Sequence, residues 1–149
     1  MLRKRTQARE CALQILYQYE MNPEPMPEIL KKFWSQQDEV FSEDIRDFAE
    51  KLALGTVEHQ AEIDKIVERY ADNWELFRMA MIDRNIMRFA TYELLYLADV
   101  PPKVTLNEAV NLAKKFSQEE SGKFVNGILD KINHTEKPKT PKNHDPSIA

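Results

Sequence analysis

A chain of 149 residues, 42 % of them hydrophobic, is long enough for one domain with a sizeable core. Its net charge of −4 argues against broad, non-specific nucleic-acid binding, and its single cysteine, Cys11, cannot close an internal disulfide. No apolar run approaches the length of a membrane span, and the basic N-terminus lacks the apolar stretch of a signal peptide, so a cytoplasmic protein is expected. Only 3 glycines, all beyond residue 50, and long three-and-four periodic stretches favour an all-α fold of about seven helices.

Thr6 to Glu20 reads as the first helix, with Thr6 as its cap and Ala8, Ala12, Ile15 and Tyr19 as its apolar stripe. Arg3, Lys4, Arg5 and Arg9 face only Glu10 within the first ten residues, so the acidic chain has one basic corner. Arg5 and Arg9 stand four apart and share a helix face. Like charges there repel one another and meet the positive helix end. Read on its own, this is either a solvated basic end or a site for an anionic partner.

Pro27 suits the first turn of a second helix, which carries Leu30, Phe33 and Trp34 inward. Ser42 caps the longest stretch, with Ile45, Phe48, Leu52, Gly55, His59, Ile63, Ile66 and Tyr70 on one stripe. A single helix of about 28 residues, roughly 42 Å if straight, is expected. His59 reads as a hydrogen-bonded core histidine, because no second His or Cys stands at metal-ligand spacing. Asn73 is the expected cap of a short helix through Phe77, with Trp74 and Leu76 as core anchors.

Asp83 to Leu97 reads as a further helix, with Ile86, Phe89, Ala90, Leu94 and Leu97 apolar, Arg84 and Arg88 one turn apart on the polar side, and Glu93 in need of a donor if buried. Pro101-Pro102 separates it from a helix whose capping box is Thr105 to Glu108. From Lys114 to Ile132 the pattern is a helix end near Phe116, a polar loop, a cap at Ser121 and a last helix carrying Val125, Ile128, Leu129 and Ile132. Phe116, Lys123 and Phe124 thus lie close to one loop, beside the carboxylate of Glu120. Spacing alone reads the two rings equally as core or as a stacking platform for unpaired bases. Residues 134–149, with Pro138, Pro141 and Pro146 among polar side chains, read as a disordered tail after a helical domain of residues 1–133.

No Gly-rich phosphate loop, paired-cysteine metal motif or recognisable nucleophile-and-base arrangement is present, so neither a catalytic site, a cofactor nor a metal is expected. Three blocks carry a resemblance instead. Ser121-Gly122-Lys123-Phe124-Val125-Asn126-Gly127-Ile128-Leu129-Asp130 resembles the C-terminal signature of the NusB family of bacterial transcription antitermination factors. Ile82-Asp83-Arg84-Asn85-Ile86-Met87-Arg88, with Ala90-Thr91-Tyr92-Glu93-Leu94, and the stretch from Ala8 to Tyr17 resemble two further family blocks, in the family's order.

The resemblance implies two small helical bundles packed together and RNA binding without catalysis. It implies a pairing with a ribosomal protein, NusE, on the single-stranded boxA element of nascent ribosomal-RNA transcripts, with read-through by RNA polymerase as the outcome. It places RNA on Arg3, Lys4, Arg5 and Arg9, on Arg88, and on the edge formed by Phe116, Glu120, Lys123 and Phe124. It places the protein partner near Asp83 and Arg84. Thr6 and Gln7 stand where many members carry further cations, so weaker RNA binding by the chain alone is expected. Two other readings share the fold. One is a stand-alone relative of the RNA-binding domain fused to ribosomal-RNA methyltransferases. The other is a structural homodimer.

Overall fold

The computed structural model describes residues 3–72 and 74–143; among them it has seven α-helices, one short 3₁₀ turn and no strand. The chain divides into two compact units, Met1–His59 and Gln60–Ala149.

The first unit holds α1 (Lys4–Met21), α2 (Met26–Ser35) and α3 (Glu43–Glu58). α1 packs chiefly against α3, and α2 packs against α1. Ala8 and Ala12 on α1 and Ala49 and Ala53 on α3 are wholly buried, and their small side chains let the two helices approach closely. Ile15, Leu52 and Phe33 fill the space between. Cys11 lies within this core, and burial, followed by the charges of Glu10 and Glu39, pushes its thiol pKa up to about 12. Pro27 sits in the first turn of α2, and Ser42 caps α3, its hydroxyl accepting from the Ile45 N–H at 3.4 Å. α1 starts two residues before the expected Thr6, and no side chain caps it.

The expected long helix from Ser42 is two helices. α3 ends at Glu58, His59 takes a non-helical conformation, and α4 (Gln60–Tyr70) begins the second unit. After α4, Asp72 adopts φ 46°, a left-handed conformation that aspartate tolerates, and the Trp74 N–H closes the turn on Ala71 at 3.0 Å. Asn73, the expected cap, lies outside the described residues. The 3₁₀ turn Leu76–Arg78, α5 (Met81–Tyr96), α6 (Pro102–Phe116) and α7 (Ser121–Thr135) follow.

α5 is the centre of the second unit: every residue from Asp83 to Thr91 is buried. A helix buried all round must find internal partners for its polar side chains. Four of these side chains tie α5 to four different neighbours. Arg88 pairs with Asp64 of α4 at 2.8 Å, and Arg84 Nη1 donates to the carbonyls of Leu76, Phe77 and Met79. Glu93, wholly buried, accepts from Thr105 of α6 at 2.9 Å, and Asp83 accepts from Ser121 of α7 at 3.0 Å. Two expected caps therefore have other roles. α6 opens at Pro102, which places Thr105 inside the helix and gives Glu93 its donor. Ser121 is the first residue of α7, and its hydroxyl reaches across to Asp83.

α7 continues to Thr135, past the point where a tail was expected. Residues 136–143 then run back along the end of α5. The Thr140 N–H donates to the Leu95 carbonyl and the Asn143 N–H to the Ala98 carbonyl, each at 2.8 Å. Lys142 Nζ donates to the carbonyls of Glu93, Leu97 and Val100 at 2.7–2.9 Å. Residues 144–149 of the expected tail lie outside the described residues.

Candidate nucleic-acid interface

The basic corner belongs to the first unit. Arg3 precedes α1 in extended conformation, and Arg3, Lys4 and Arg5 are all exposed. No acidic residue occupies the first turn of α1, so these cations add to the partial positive charge of the helix end. Lys4 pairs with Asp44 at 3.2 Å, but both side chains are largely exposed and the pair holds weakly. The guanidinium carbons of Arg5 and Arg9 lie 4.3 and 5.3 Å from the centroid of the Phe48 ring. The two arginines do share one face, but they differ in access. Arg5 remains at the surface, whereas Arg9 is 1 % exposed, because α3 brings Phe48 over it. Arg9 is therefore a packed cation beneath the corner and not part of its surface.

The second unit carries the ring edge. Gly122 lets α7 start close against α6: a Cβ there would stand 2.8 Å from Lys114 Cε and 3.3 Å from Val110 Cγ1. That approach sets Phe124 beside Trp74, with ring centroids 6.3 Å apart and planes at 68°. Phe124 and Trp74 line a cavity of about 370 Å³ together with Arg78, Asp83, Gln118 and Glu120. Glu120 is exposed at the N-terminus of α7. Phe116, half-buried at the end of α6, lies outside this lining, and Lys115 Nζ stands 5.1 Å from its ring. Lys123 is exposed on the first turn of α7 and also lies outside the lining.

Arg88 is not part of that edge. Its Nε and Nη2 engage the two oxygens of Asp64 at 2.8 and 3.1 Å, and Nη1 donates to Asn85. Asp83 and Arg84, expected at a partner surface, are 6 % and 8 % exposed and hold α7 and the 3₁₀ turn. The residue that sequence reasoning missed is Trp74. Read as a core anchor, it is 53 % exposed. The available signal was its setting between Asp72-Asn73 and Glu75, polar residues that favour a turn at the surface.

The profile of the NusB family matches residues 6–134. The chain belongs to the NusB family. It is 49 % identical over 137 residues to the transcription antitermination protein NusB of Thermodesulfovibrio yellowstonii, a match covering 87 % of this chain and 91 % of that one. It is 46 % identical over 132 residues to NusB of Anaeromyxobacter dehalogenans, covering 89 % and 92 %. Among solved structures, NusB of T. maritima superposes with a TM-score of 0.82 at 38 % identity, covering 93 % of this chain and 96 % of that one. A chain from a crystal structure of the antitermination factors NusB and NusE in complex with dsRNA superposes with a TM-score of 0.80 at 32 % identity, covering 90 % and 98 %. NusB membership accounts for the three sequence blocks together, and it sets the polar ties of α5 and the ring edge of α7 inside two of them.

Proposed function

We propose that the chain is a transcription antitermination factor that binds RNA together with the ribosomal protein NusE, and that its target is the single-stranded boxA element of nascent ribosomal-RNA transcripts. The observation that carries this reading is the likeness to antitermination proteins along nearly their whole length, 91 % of the first and 92 % of the second. Likeness to antitermination proteins over that length favours an antitermination role over that of a methyltransferase's RNA-binding domain. The reading involves no catalytic step and no cofactor. It places the protein in the cytoplasm with the transcribing polymerase, and none of the described helices is long and apolar enough to cross a membrane.

In this reading Arg3, Lys4, Arg5 and Lys123 attract phosphates, and Phe124 and Phe116 offer ring faces to unpaired bases. Glu120 shapes the same edge from the side of negative charge. Arg9 and Arg88 serve the site as supports, the first beneath the basic corner and the second within α5. Asp83 and Arg84 act on the partner surface only through the elements they hold. A single-stranded target is favoured because a duplex hides its base faces, whereas rings at a surface suit splayed bases.

The test is an RNA titration with and without NusE, comparing a boxA-type RNA with a scrambled one. The boxA-type RNA should bind more tightly, and NusE should widen the difference. Equal binding of the two RNAs under both conditions would overturn the assignment. Within it, Arg5→Ala should lower the salt slope by roughly 0.7, the share of one phosphate contact on single-stranded RNA.

A further inference from the structure

The two tryptophans are held in opposite ways. Trp34, in the first unit, donates its indole N–H to Glu50 at 2.7 Å and meets the rings of Phe33 and Phe41 edge-on. Arg46 covers it from 5.1 Å. That is a structural tryptophan with its polar atom satisfied. Trp74, in the second unit, has no hydrogen-bond partner for its N–H among the described residues and leaves half its surface in solvent. Its ring neighbour among the described residues, Phe124, is set at 68° and so covers at most one face of an indole that is 53 % exposed. An aromatic of this size contributes most when covered, so an open face beside a cavity marks a place for a flat ligand.

We propose that Trp74 and Phe124 form the walls of a pocket for one unpaired nucleobase, with Gln118 and Glu120 meeting the edge of the base and Arg78 its phosphate. The proposal rests on the RNA-binding reading and adds to it the residue that makes the pocket. At about 370 Å³ the cavity falls at the small end of the roughly 300–1,000 Å³ typical of ligand pockets. Its rim suits a base. The Gln118 amide carries both a donor and an acceptor, and the Glu120 carboxylate accepts from amino groups, which are the functions that read a Watson–Crick edge. Among the described residues Arg78 pairs only with Glu75, at 3.4 Å, in a pair whose side chains are 71 % and 54 % exposed. So exposed a pair exchanges readily for a phosphate. An aliphatic side chain from a protein would instead set this amide and carboxylate against apolar surface. A base can stack on the rings and keep its polar edge wet.

The chain has 2 tryptophans, so Trp34→Phe leaves Trp74 as the sole indole reporter. In that variant, boxA-type RNA carrying an end label should raise the anisotropy of the label and quench Trp74 emission along the same titration curve. Trp74→Ala should weaken RNA binding about 5- to 150-fold, the range spanned by stacking on one ring, and Trp74→Phe should recover most of the loss. If anisotropy rises while Trp74 emission stays constant, or if Trp74→Ala binds RNA as the natural chain does, the pocket is overturned and the RNA reading stands. If NusE alone changes Trp74 emission and RNA does not, Trp74 is a protein contact and the pocket is likewise overturned. If no RNA binds to the natural chain, with or without NusE, the RNA reading fails and the pocket fails with it. The emission measurement needs only a ring at position 74, so it decides the matter even if Trp74→Ala does not fold.

Discussion

Arg88 holds Asp64 through both sides of its guanidinium, Nε to Oδ1 at 2.8 Å and Nη2 to Oδ2 at 3.1 Å. The arginine side chain is 9 % exposed and the aspartate 22 %. The pair joins α5 to α4, and the third arginine nitrogen binds Asn85 one turn earlier. Arg88→Ala should therefore cost about 3 kcal/mol of stability, the lower end of the range for breaking a buried pair, because Asp64 is partly wet. RNA affinity of the folded fraction should not change. A denaturant melt beside an RNA titration checks this. A variant of natural stability with weakened RNA binding would return Arg88 to the interface.

What could be read from the chain, and what could not, divides at this helix. Apolar periodicity located the helices because burying Ile15, Leu52 or Leu129 needs no partner beyond neighbouring methyl groups. The fate of Asp83 and Arg88 depended on Ser121 and Asp64, 38 and 24 residues away, and that of Arg84 on backbone carbonyls of the 3₁₀ turn, which carry no side-chain signal. A paired buried arginine and an exposed one look alike in sequence. The break at His59 was also hidden, since no proline marks it and the apolar stripe continues through it. For the ring edge, position was legible and partnership was not. Phe124 was placed near the loop, but its ring neighbour is Trp74, not Phe116.

Gly122 and Gly127 occupy the same helix and should respond oppositely to alanine. Nothing lies within 4 Å of a Cβ at position 127, so Gly127→Ala should add about 0.5–1 kcal/mol through helix propensity. At position 122 the same gain meets Lys114 and Val110 of α6. The lysine stem can move, but Val110 must give way within the α6–α7 packing. Gly122→Ala should therefore show no gain and should shift the ring edge that starts at Phe124. Paired thermal melts of the two variants test this. Equal stabilisation by both would mean that the α6–α7 approach does not require glycine.

Lys142 closes the end of α5 from the far side of the chain. Its ammonium donates to three carbonyls: that of Glu93, which also accepts from the Leu97 N–H at 3.2 Å, and those of Leu97 and Val100 just beyond the helix. Burial lowers its pKa below the ordinary 10.5, while Glu93 and then Asp99 pull it back up. A lowered amine pKa means that folding carries a cost for the charged form. That cost is fully present below the folded pKa and is relieved as pH rises through it toward 10.5. Lys142→Met should lower stability by about 1–2 kcal/mol near neutrality, from the lost hydrogen bonds. The advantage of the natural chain over the variant should then grow as pH rises toward 10.5. Melts at several pH values check the sign. An advantage that shrinks with rising pH would show that the carbonyls outweigh burial and hold the ammonium charged.

Glu120 lines the same cavity as Phe124 and Trp74, and it precedes α7 by one residue. Its place at the positive helix end favours the fold by about 0.3–1 kcal/mol. Toward RNA its effect has the opposite sign. Two unit charges 6 Å apart at an effective dielectric of about 20 repel by roughly 2.8 kcal/mol before screening. Glu120 is exposed, so salt removes much of that repulsion. Glu120→Gln should therefore destabilise the fold slightly and tighten RNA binding several-fold. The amide keeps an acceptor for a base edge and adds a donor, so contacts to the base survive the change. The gain should be largest at low salt and fade as salt rises. It should also lessen the dependence on NusE, if the partner's cations are what offset this carboxylate in the complex. RNA titrations of the natural chain and Glu120→Gln at two salt concentrations, each with and without NusE, measure all three effects. Equal or weaker binding by the variant at low salt would place the phosphates away from this edge and leave Glu120 as a helix-end residue alone.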